Sequence, residues 1–377
     1  MTAVDYHILA PTDIAPEVWD EIAPPHARSP MVLHDWTMST LQAPSQNGAV
    51  RVVVSGDPAR PDALVPLLVE NGPLERHEFI GNTDGGIDVP ARDDTALEAL
   101  ARGLVSLPGA VNLLYYPAAS RLFDHVAVAA RGKALVLRKP QPTPSAPWLE
   151  LDASWVEPER HIKKKMAQSI RRRERRLNEA GQVRVEFLEP AAHEVEALLD
   201  AVIHVEAQSW KQRAGTALLS HEAQRDFLRT YAAKIAHHGR LHITFVYLDD
   251  EPIAMSIGEI YNNGYWGHKT GFDERYSRFG PGILLQLYLI RHLAARGVER
   301  LDFGGQLDPF KRAWTENAVP TVTLRIYPYT LKGMAALGLD AAQQARRRAL
   351  GLARGLLASL TSTRGPAQKS APAAPAG

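Results

Sequence analysis

The 377-residue chain contains no cysteine. Disulfide scaffolds, thiolate metal centres, iron–sulfur clusters and cysteine nucleophiles are therefore excluded, and any chemistry must run on oxygen and nitrogen side chains. No window reaches the ~18 uninterrupted apolar residues of a membrane span. The opening segment MTAVDYHILAPTDIAPEVW carries an acidic residue where a secretory signal would be basic. A cytoplasmic chain is expected. Also absent are a Walker loop, a Rossmann glycine fingerprint, the zinc-protease HExxH and the nucleophile elbow GxSxG. Without a nucleophile motif, direct transfer between two bound substrates is favoured over a covalent enzyme intermediate.

Apolar residues make up 45% of the chain and charged residues 23%, a composition able to bury sizeable cores. The length exceeds what one core usually organises and predicts two domains. A net charge of +1 conceals an uneven distribution. Arg160–Arg176 holds nine basic residues against Glu174 alone, and Leu331–Gly377 holds seven against Asp340 alone, so the remainder is strongly acidic. Two basic appendages on an acidic body imply that anions are handled at particular places.

In the first part, strands are predicted at Tyr6–Ala10, Arg51–Ser55, Ala63–Val69 and Val111–Tyr116, with helices at Glu17–Ile22, His34–Gln42 and Thr95–Leu107. The proline-rich KPQPTPSAPW (Lys139–Trp148) reads as a linker. After the basic helix, strands are predicted at Val183–Leu188, Leu241–Leu248, Ile253–Asn262, Tyr265–Phe272, Arg300–Phe303 and Thr321–Tyr327. Helices are predicted at His193–Trp210, His221–His237, Pro281–Arg296 and Asp308–Thr315. The expected division is 1–145, 146–330, a basic amphipathic helix over 331–360 and a disordered tail over 361–377. A β-α-α-β-β-β-α-β-α-β order with a glycine turn opening the helix after the fourth strand is that of GNAT acyltransferases.

The segments SWKQRAGTALL (Ser209–Leu219), GFDERYSRFGPGILL (Gly271–Leu285) and LDFGGQLDPFKRAW (Leu301–Trp314) resemble the CelD/BcsL-type acetyltransferases, a GNAT branch related to the FemAB peptidyltransferases. The basic KKKMAQSIRRRERRLNEAG (Lys163–Gly181) is similar to the same family. The likeness spans residues 15 to 328. It implies an α/β fold of two tandem GNAT-like halves, acyl-CoA as co-substrate with no permanently bound cofactor or metal, and an amine acceptor, with no DNA partner.

Tyr276-Ser277-Arg278-Phe279-Gly280-Pro281-Gly282 lies between a strand and an apolar helix. Glycines let the backbone approach a ligand, and Pro281 is preset for a first helical turn, so free N–H groups and the positive helix end would face an anion. GNAT enzymes bind the coenzyme A pyrophosphate here. Their pattern begins with Arg or Gln, whereas here Ser277 stands first and Arg278 follows. Ser277, Arg278, Gly280, Pro281 and Gly282 are thus the expected donor-binding residues; a turn without a ligand is the alternative.

Asn263-Gly264 is a two-residue hairpin signal. As the turn, it would set Tyr261 against Trp266, Glu259 against His268, Ile257 against Thr270 and Met255 against Phe272. A carboxylate meeting an imidazole among apolar neighbours can deprotonate an acceptor amine. It can equally be a cross-strand pair satisfying two half-buried polar groups.

The resemblance also implies roles for Lys311, which would fix a thioester carbonyl, phosphate or carboxylate, and for Asp302 and Trp314 beside it. Glu206, Trp210 and Lys211 fall where GNAT folds form the acceptor wall. In many GNAT enzymes a tyrosine from the helix equivalent to Asp308–Thr315 protonates the departing thiolate; DPFKRAW has none. The Arg160–Arg176 helix is either a solvated face or a site for CoA phosphates, transfer RNA or acidic lipid heads. The 331–360 segment, with Arg346, Arg347, Arg348 and Arg354 among leucines, either packs on the body or makes peripheral contact with the inner face of the membrane. The function expected from the whole is N-acyl transfer from acyl-CoA, with a lipid or cell-envelope precursor amine as acceptor. The rival readings are aminoacyl-tRNA-dependent transfer and a non-catalytic module of envelope or polysaccharide assembly.

Overall fold

A computed structural model describes residues 5–22, 29–43, 48–70, 72–80, 85–209 and 221–362, with side chains described to 350. In the first half, β1 (Tyr6–Leu9) leads through α1 (Pro16–Ile22) and α2 (His34–Gln42) to β2 (Gly48–Asp57), β3 (Arg60–Glu70) and β4 (His77–Phe79). Then come α3 (Asp94–Ser106), β5 (Val111–Pro117), α4 (Leu122–Ala129) and β6 (Ala134–Pro140). The second half begins with β7 (Trp148–Glu150) and α5 (Lys164–Ala180). It continues as β8 (Val183–Leu188), α6 (Val195–Ala207), α7 (Glu222–His237), β9 (Leu241–Leu248), β10 (Glu251–Tyr261), β11 (Gly264–Phe272), α8 (Pro281–Ala295) and β12 (Arg300–Asp302). β13 (Thr321–Pro328) and α9 (Leu331–Ser362) close the chain.

The strands form two mixed sheets, ordered β1-β2-β3-β4-β5-β13-β6 and β7-β12-β11-β10-β9-β8. In each, four consecutive strands pair antiparallel, a helix crosses over, and the next strand pairs parallel: β4 with β5 across α3, and β11 with β12 across α8. The run β1-α1-α2-β2-β3-β4-α3-β5 is therefore repeated as β8-α6-α7-β9-β10-β11-α8-β12. Two tandem halves of one topology are present, as expected.

Apolar patterning explains the layering. β9, LHITFVYL, is buried at seven of its eight positions because it lies inside a sheet covered on both faces. On one face, α8 is buried nearly all round through Leu284, Leu285, Leu287, Leu289, Ile290 and Leu293. On the other, Trp36, Val50 and Ile80 of the first half share a core with Leu199, Tyr231 and Ile257 of the second. Burying side chains of this kind contributes ~1.5–3 kcal/mol each, so the halves are joined by a common core.

Several expectations need correction. The division at residue 145 does not describe the sheets, because β13, from the C-terminal half, lies between β5 and β6 of the first. Nor is 139–148 a free linker. Pro140 ends β6, and Ser145 is fully buried and bridged to both Gln306 and Val319, since the segment passes between the two sheets. The strands β4, β6 and β7 and the helix α4 were not foreseen; β4 and β7 have only three residues each. The predicted Asp308–Thr315 helix contracts to a 3-10 turn at Lys311–Ala313. The tail from 363 lies outside the described residues.

The first turns of α9 dock on the first sheet. Asp340 accepts hydrogen bonds from both terminal nitrogens of Arg76 (2.7 and 3.1 Å) and from the Tyr327 hydroxyl (2.6 Å), with Arg325 at 3.5 Å. These partners hold its carboxyl below the ordinary carboxylate range against the opposing effect of burial. From Ala341 to Leu350 every residue is exposed.

Candidate active site

β11 and β12 pair only over Gly264–Trp266 and Arg300–Asp302. Beyond Trp266 the two strands part, and no described strand lies beside Gly267–Phe272 on that edge. A cleft of about 390 Å³ occupies the gap. The backbone of β11 lines one side, Gly282, Gln286 and Leu289 of α8 another, and the Asp302–Gly305 turn and Lys311 a third. A strand edge beside a helix start presents backbone donors and acceptors to an extended ligand.

The glycine turn reaches this cleft only in part. Gly280 caps α8 in the left-handed conformation (φ 64°), and Pro281 takes the first helical position. Gly282 lines the cleft, and a side chain there would meet the Phe272 ring 3.1 Å from its Cβ. Ser277 and Arg278 stand on the preceding 3-10 turn, exposed, with Arg278 lying over the Phe279 ring. The cation at this turn is instead Arg173, whose half-buried guanidinium lies against Gly280. It comes from α5, which packs Ala167, Ile170 and Leu177 inward and leaves Lys163, Lys164, Lys165, Arg171, Arg172, Arg175 and Arg176 exposed.

Glu259 and His268 meet as expected, by a different route. The turn residues are Asn262 and Asn263, both at positive φ (47° and 57°), so Tyr261 pairs with Gly264 and Glu259 with Trp266. A bulge then inserts His268, because Gly258 pairs with Gly267 and Ile257 with Lys269. His268 is thereby turned onto Glu259, with Nε2 3.0 Å from Oε1.

Sequence reasoning missed the rest of this cluster. The Tyr231 hydroxyl of α7 donates to the same Oε1 at 2.5 Å, and Arg240 stands 3.7 Å from Oε2. Burial, then the charge of Glu259, holds the Tyr231 phenol well above its ordinary pKa, so it stays a donor. Glu259 is fully buried. A carboxylate Oε1 that accepts from both groups assigns the proton of a neutral imidazole to Nε2 and its lone pair to Nδ1. That Nδ1 is buried with no hydrogen-bond partner. Nothing local to the sequence links Tyr231 and Arg240 to a glutamate 28 and 19 residues onward.

His268 also lines a second cavity, of about 500 Å³, between α2, β4 and β5 of the first half and α7 of the second. The catalytic histidine candidate thus stands between two spaces, one formed by the second half and one shared by both.

The other expected residues are distributed differently. Lys311 donates to the carbonyls of Gly304 and Gln306, which fastens the loop and leaves its stem on the cleft wall. Asp302 accepts from Gly304 N at 2.9 Å, shaping the turn that closes the cleft. Trp314 is buried in the core with Leu149 and Tyr265 and lines none of the described cavities, which corrects its expected place beside the substrate. Glu206 is fully buried against Gly271 of β11. Trp210 and Lys211 lie outside the described residues.

Two unforeseen side chains join the cleft. The buried Gln286 leaves its Nε2 without a partner. The Tyr265 hydroxyl, 3.2 Å from Ser256 Oγ, has its pKa pushed up to about 12 by burial. A tyrosine hydroxyl is therefore present, contributed by the sheet and not by the segment where the family places it.

Residues 164–312 match the acetyltransferase (GNAT) domain family. No curated protein matches the sequence. Among solved structures, that of FemX superposes with a TM-score of 0.57 at 11% identity, covering 85% of this chain and 97% of that one. A Bacteroides thetaiotaomicron protein of unknown function gives 0.53 at 11% identity, over 83% and 97%. The C-terminal domain of a putative lysylphosphatidylglycerol synthetase from Agrobacterium fabrum gives 0.51 at 14%, over 88% and 95%. At these identities the likeness is one of fold, and the CelD/BcsL branch itself is not singled out. With the repeated strand order and the parted parallel strands, these matches give the chain a GNAT-like fold in two halves, of which residues 164–312 are similar to the acetyltransferase (GNAT) domain.

Proposed function

We propose that the protein is an N-acyltransferase that moves an acyl group from acyl-CoA to an amine, a lipid or cell-envelope precursor, by direct attack in a ternary complex. The observation that carries this reading is the buried imidazole of His268, held through Nε2 by Glu259 with Nδ1 unpartnered, where the donor cleft meets the second cavity. The acyl-CoA pyrophosphate lies at the start of α8, facing the N–H groups beyond Gly280 and the Arg173 guanidinium. Its pantetheine arm runs along the open edge of β11.

His268 Nδ1 takes a proton from the neutral amine as its nitrogen attacks the thioester carbonyl. The imidazolium is stabilised by Glu259, whose charge is in turn steadied by Tyr231 and Arg240. Strand N–H groups of β11 receive the negative charge of the tetrahedral oxygen. As the C–N bond forms, the C–S bond breaks and the thiolate departs. It is protonated in the cleft, where the Tyr265 hydroxyl is at hand, or leaves unaided as the thiolate.

With a lipid acceptor, the protein would work at the cytoplasmic face of a membrane, and α9 supports that reading. Leu331, Met334, Leu339 and Leu350 of α9 are exposed, Leu331 at 93%, on a helix that also carries Arg346, Arg347 and Arg348. Such a segment gains from both apolar burial and anionic lipid. No described helix is long and apolar enough to cross a membrane. The test of the reaction is incubation of the protein with acyl-CoA and a panel of amines, following thiol release and the amide product by mass. Thiol release that no amine accelerates would overturn it.

A further inference from the structure

In the second half, the parting of the parallel strands β11 and β12 makes the donor cleft. The first half has the same parting. β4 and β5 pair only at His77–Val111 and Glu78–Asn112, and then diverge. No glycine turn opens α3, whose N-cap is Asp93 with Asp94 next to it, so this opening has a negative helix start and repels phosphate. It leads instead into the cavity that ends at His268.

That cavity is apolar. β4 and β5 supply Phe79, Leu114 and Tyr115, α2 supplies Trp36, and α7 supplies Phe227 and Tyr231. The rings interlock, with Trp36 4.7 Å from Phe227 and 4.9 Å from Tyr231, both edge-on, and 5.9 Å from His268. Its volume of about 500 Å³ falls in the ~300–1,000 Å³ range of ligand sites. Leu68, Leu114 and Phe227 remain only half-buried beside a large core, although covering such surface would gain ~25 cal/mol per Å². Tyr115 is held in the left-handed region (φ 48°), a cost of ~1–3 kcal/mol that a non-glycine residue bears where the surroundings require it.

We infer that this inter-half cavity binds the hydrocarbon chain of the acceptor, so that the substrate is a single-chain amphiphilic amine and not a sugar- or peptide-bearing precursor. The inference rests on the proposed amine acyl transfer and deepens it. Attack requires the amine nitrogen between His268 and the thioester carbonyl, so what the nitrogen carries extends away from the donor cleft, into the other space that His268 lines. Apart from His268 and two tyrosine hydroxyls, its polar side chains are Thr40, Gln224, Lys269 and Glu78, and the rest of the wall is apolar. Glu78, whose carboxyl is raised by burial and by the charge of Glu70, is the one acidic side chain on its wall among the described residues. A sugar or peptide would leave most of its hydrogen bonds unmade against such walls.

The experiment varies the two substrates separately: butylamine to octadecylamine with one donor, then acetyl-CoA to palmitoyl-CoA with one amine, on the full chain. Expected is a rise in kcat/KM of about fourfold per added methylene of the amine until the cavity is full, the equivalent of about 0.8 kcal/mol. Leu114→Trp and Leu68→Trp, which fill the cavity, should each lower the ratio of octadecylamine to butylamine kcat/KM at least tenfold. If amide forms at a rate indifferent to amine length, the inference fails while the acyl transfer stands. Dependence on acyl length that the tryptophan variants abolish would overturn it by making the cavity the acyl pocket. Absence of product from every amine removes both.

Discussion

Glu259 and His268 are hydrogen-bonded although neither faces the other in the β10–β11 ladder. Glu259 stands opposite Trp266, and His268 is the extra residue of a bulge between the Gly258–Gly267 and Ile257–Lys269 pairs. The bulge re-aims a histidine that a regular strand would hold in register, and it does so where β11 begins to part from β12. Strand separation and the placement of His268 thus occur at the same point in the chain.

Glu259→Gln and His268→Ala should each lower turnover by roughly two orders of magnitude or more with donor affinity little changed, as for loss of a general base or its orienting partner. Tyr231→Phe, which removes one of two bonds to Oε1, should cost about tenfold in kcat. Steady-state kinetics with an identified amine decides. Near-normal rates in both of the first two variants would make the pair structural.

Donor affinity should depend on Gly282 and Arg173. Valine at 282 would press on the Phe272 ring and occupy the cleft wall, and Arg173→Ala would remove the cation at the helix start. Each should weaken acyl-CoA binding about tenfold or more by calorimetry. Arg278→Ala, on the exposed turn, should have little effect.

Acid should destabilise the fold through His242. Burial, then repulsion from His292, lowers its pKa from 6.5 to about 4. Above pH 6.5 it is neutral whether folded or unfolded and has no effect on pH dependence. Between 6.5 and about 4 the unfolded chain binds the proton and the folded one does not, so stability falls with falling pH, by up to about 3 kcal/mol. In denaturant titrations from pH 7 to 4, the stability of wild type relative to His242→Gln should fall as pH falls, because the variant lacks this loss.

The docking of α9 can be separated from its membrane contact. Asp340→Ala should cost about 2 kcal/mol by leaving Arg76 and the Tyr327 hydroxyl without their partner. A chain ending at Tyr329 would lose this anchor together with the arginines, so charge reversal of Arg346, Arg347 and Arg348 is the cleaner test. Flotation with anionic vesicles at low and physiological salt should fall in that variant if α9 meets the membrane.

Local patterning by itself determined much of this protein. The absence of cysteine limited the chemistry, the periodicity of β9, α2 and α8 placed them to within about a residue, and Gly280-Pro281-Gly282 marked a helix start. These features depend on neighbours within a few residues, so the chain carries them in plain order. Tertiary structure decided the rest. Short strands such as β4 and β7 have no periodicity to detect and exist because longer strands lie beside them. β13 enters the first sheet, Arg173 reaches Gly280 from another helix, and Tyr231 and Arg240 close on Glu259. The hairpin register fell on Asn262-Asn263, not Asn263-Gly264, because β11 must also pair with β12 at Gly264 and then bulge at His268. Contacts between distant segments follow from which apolar faces can be buried together, and that choice is made by the whole core.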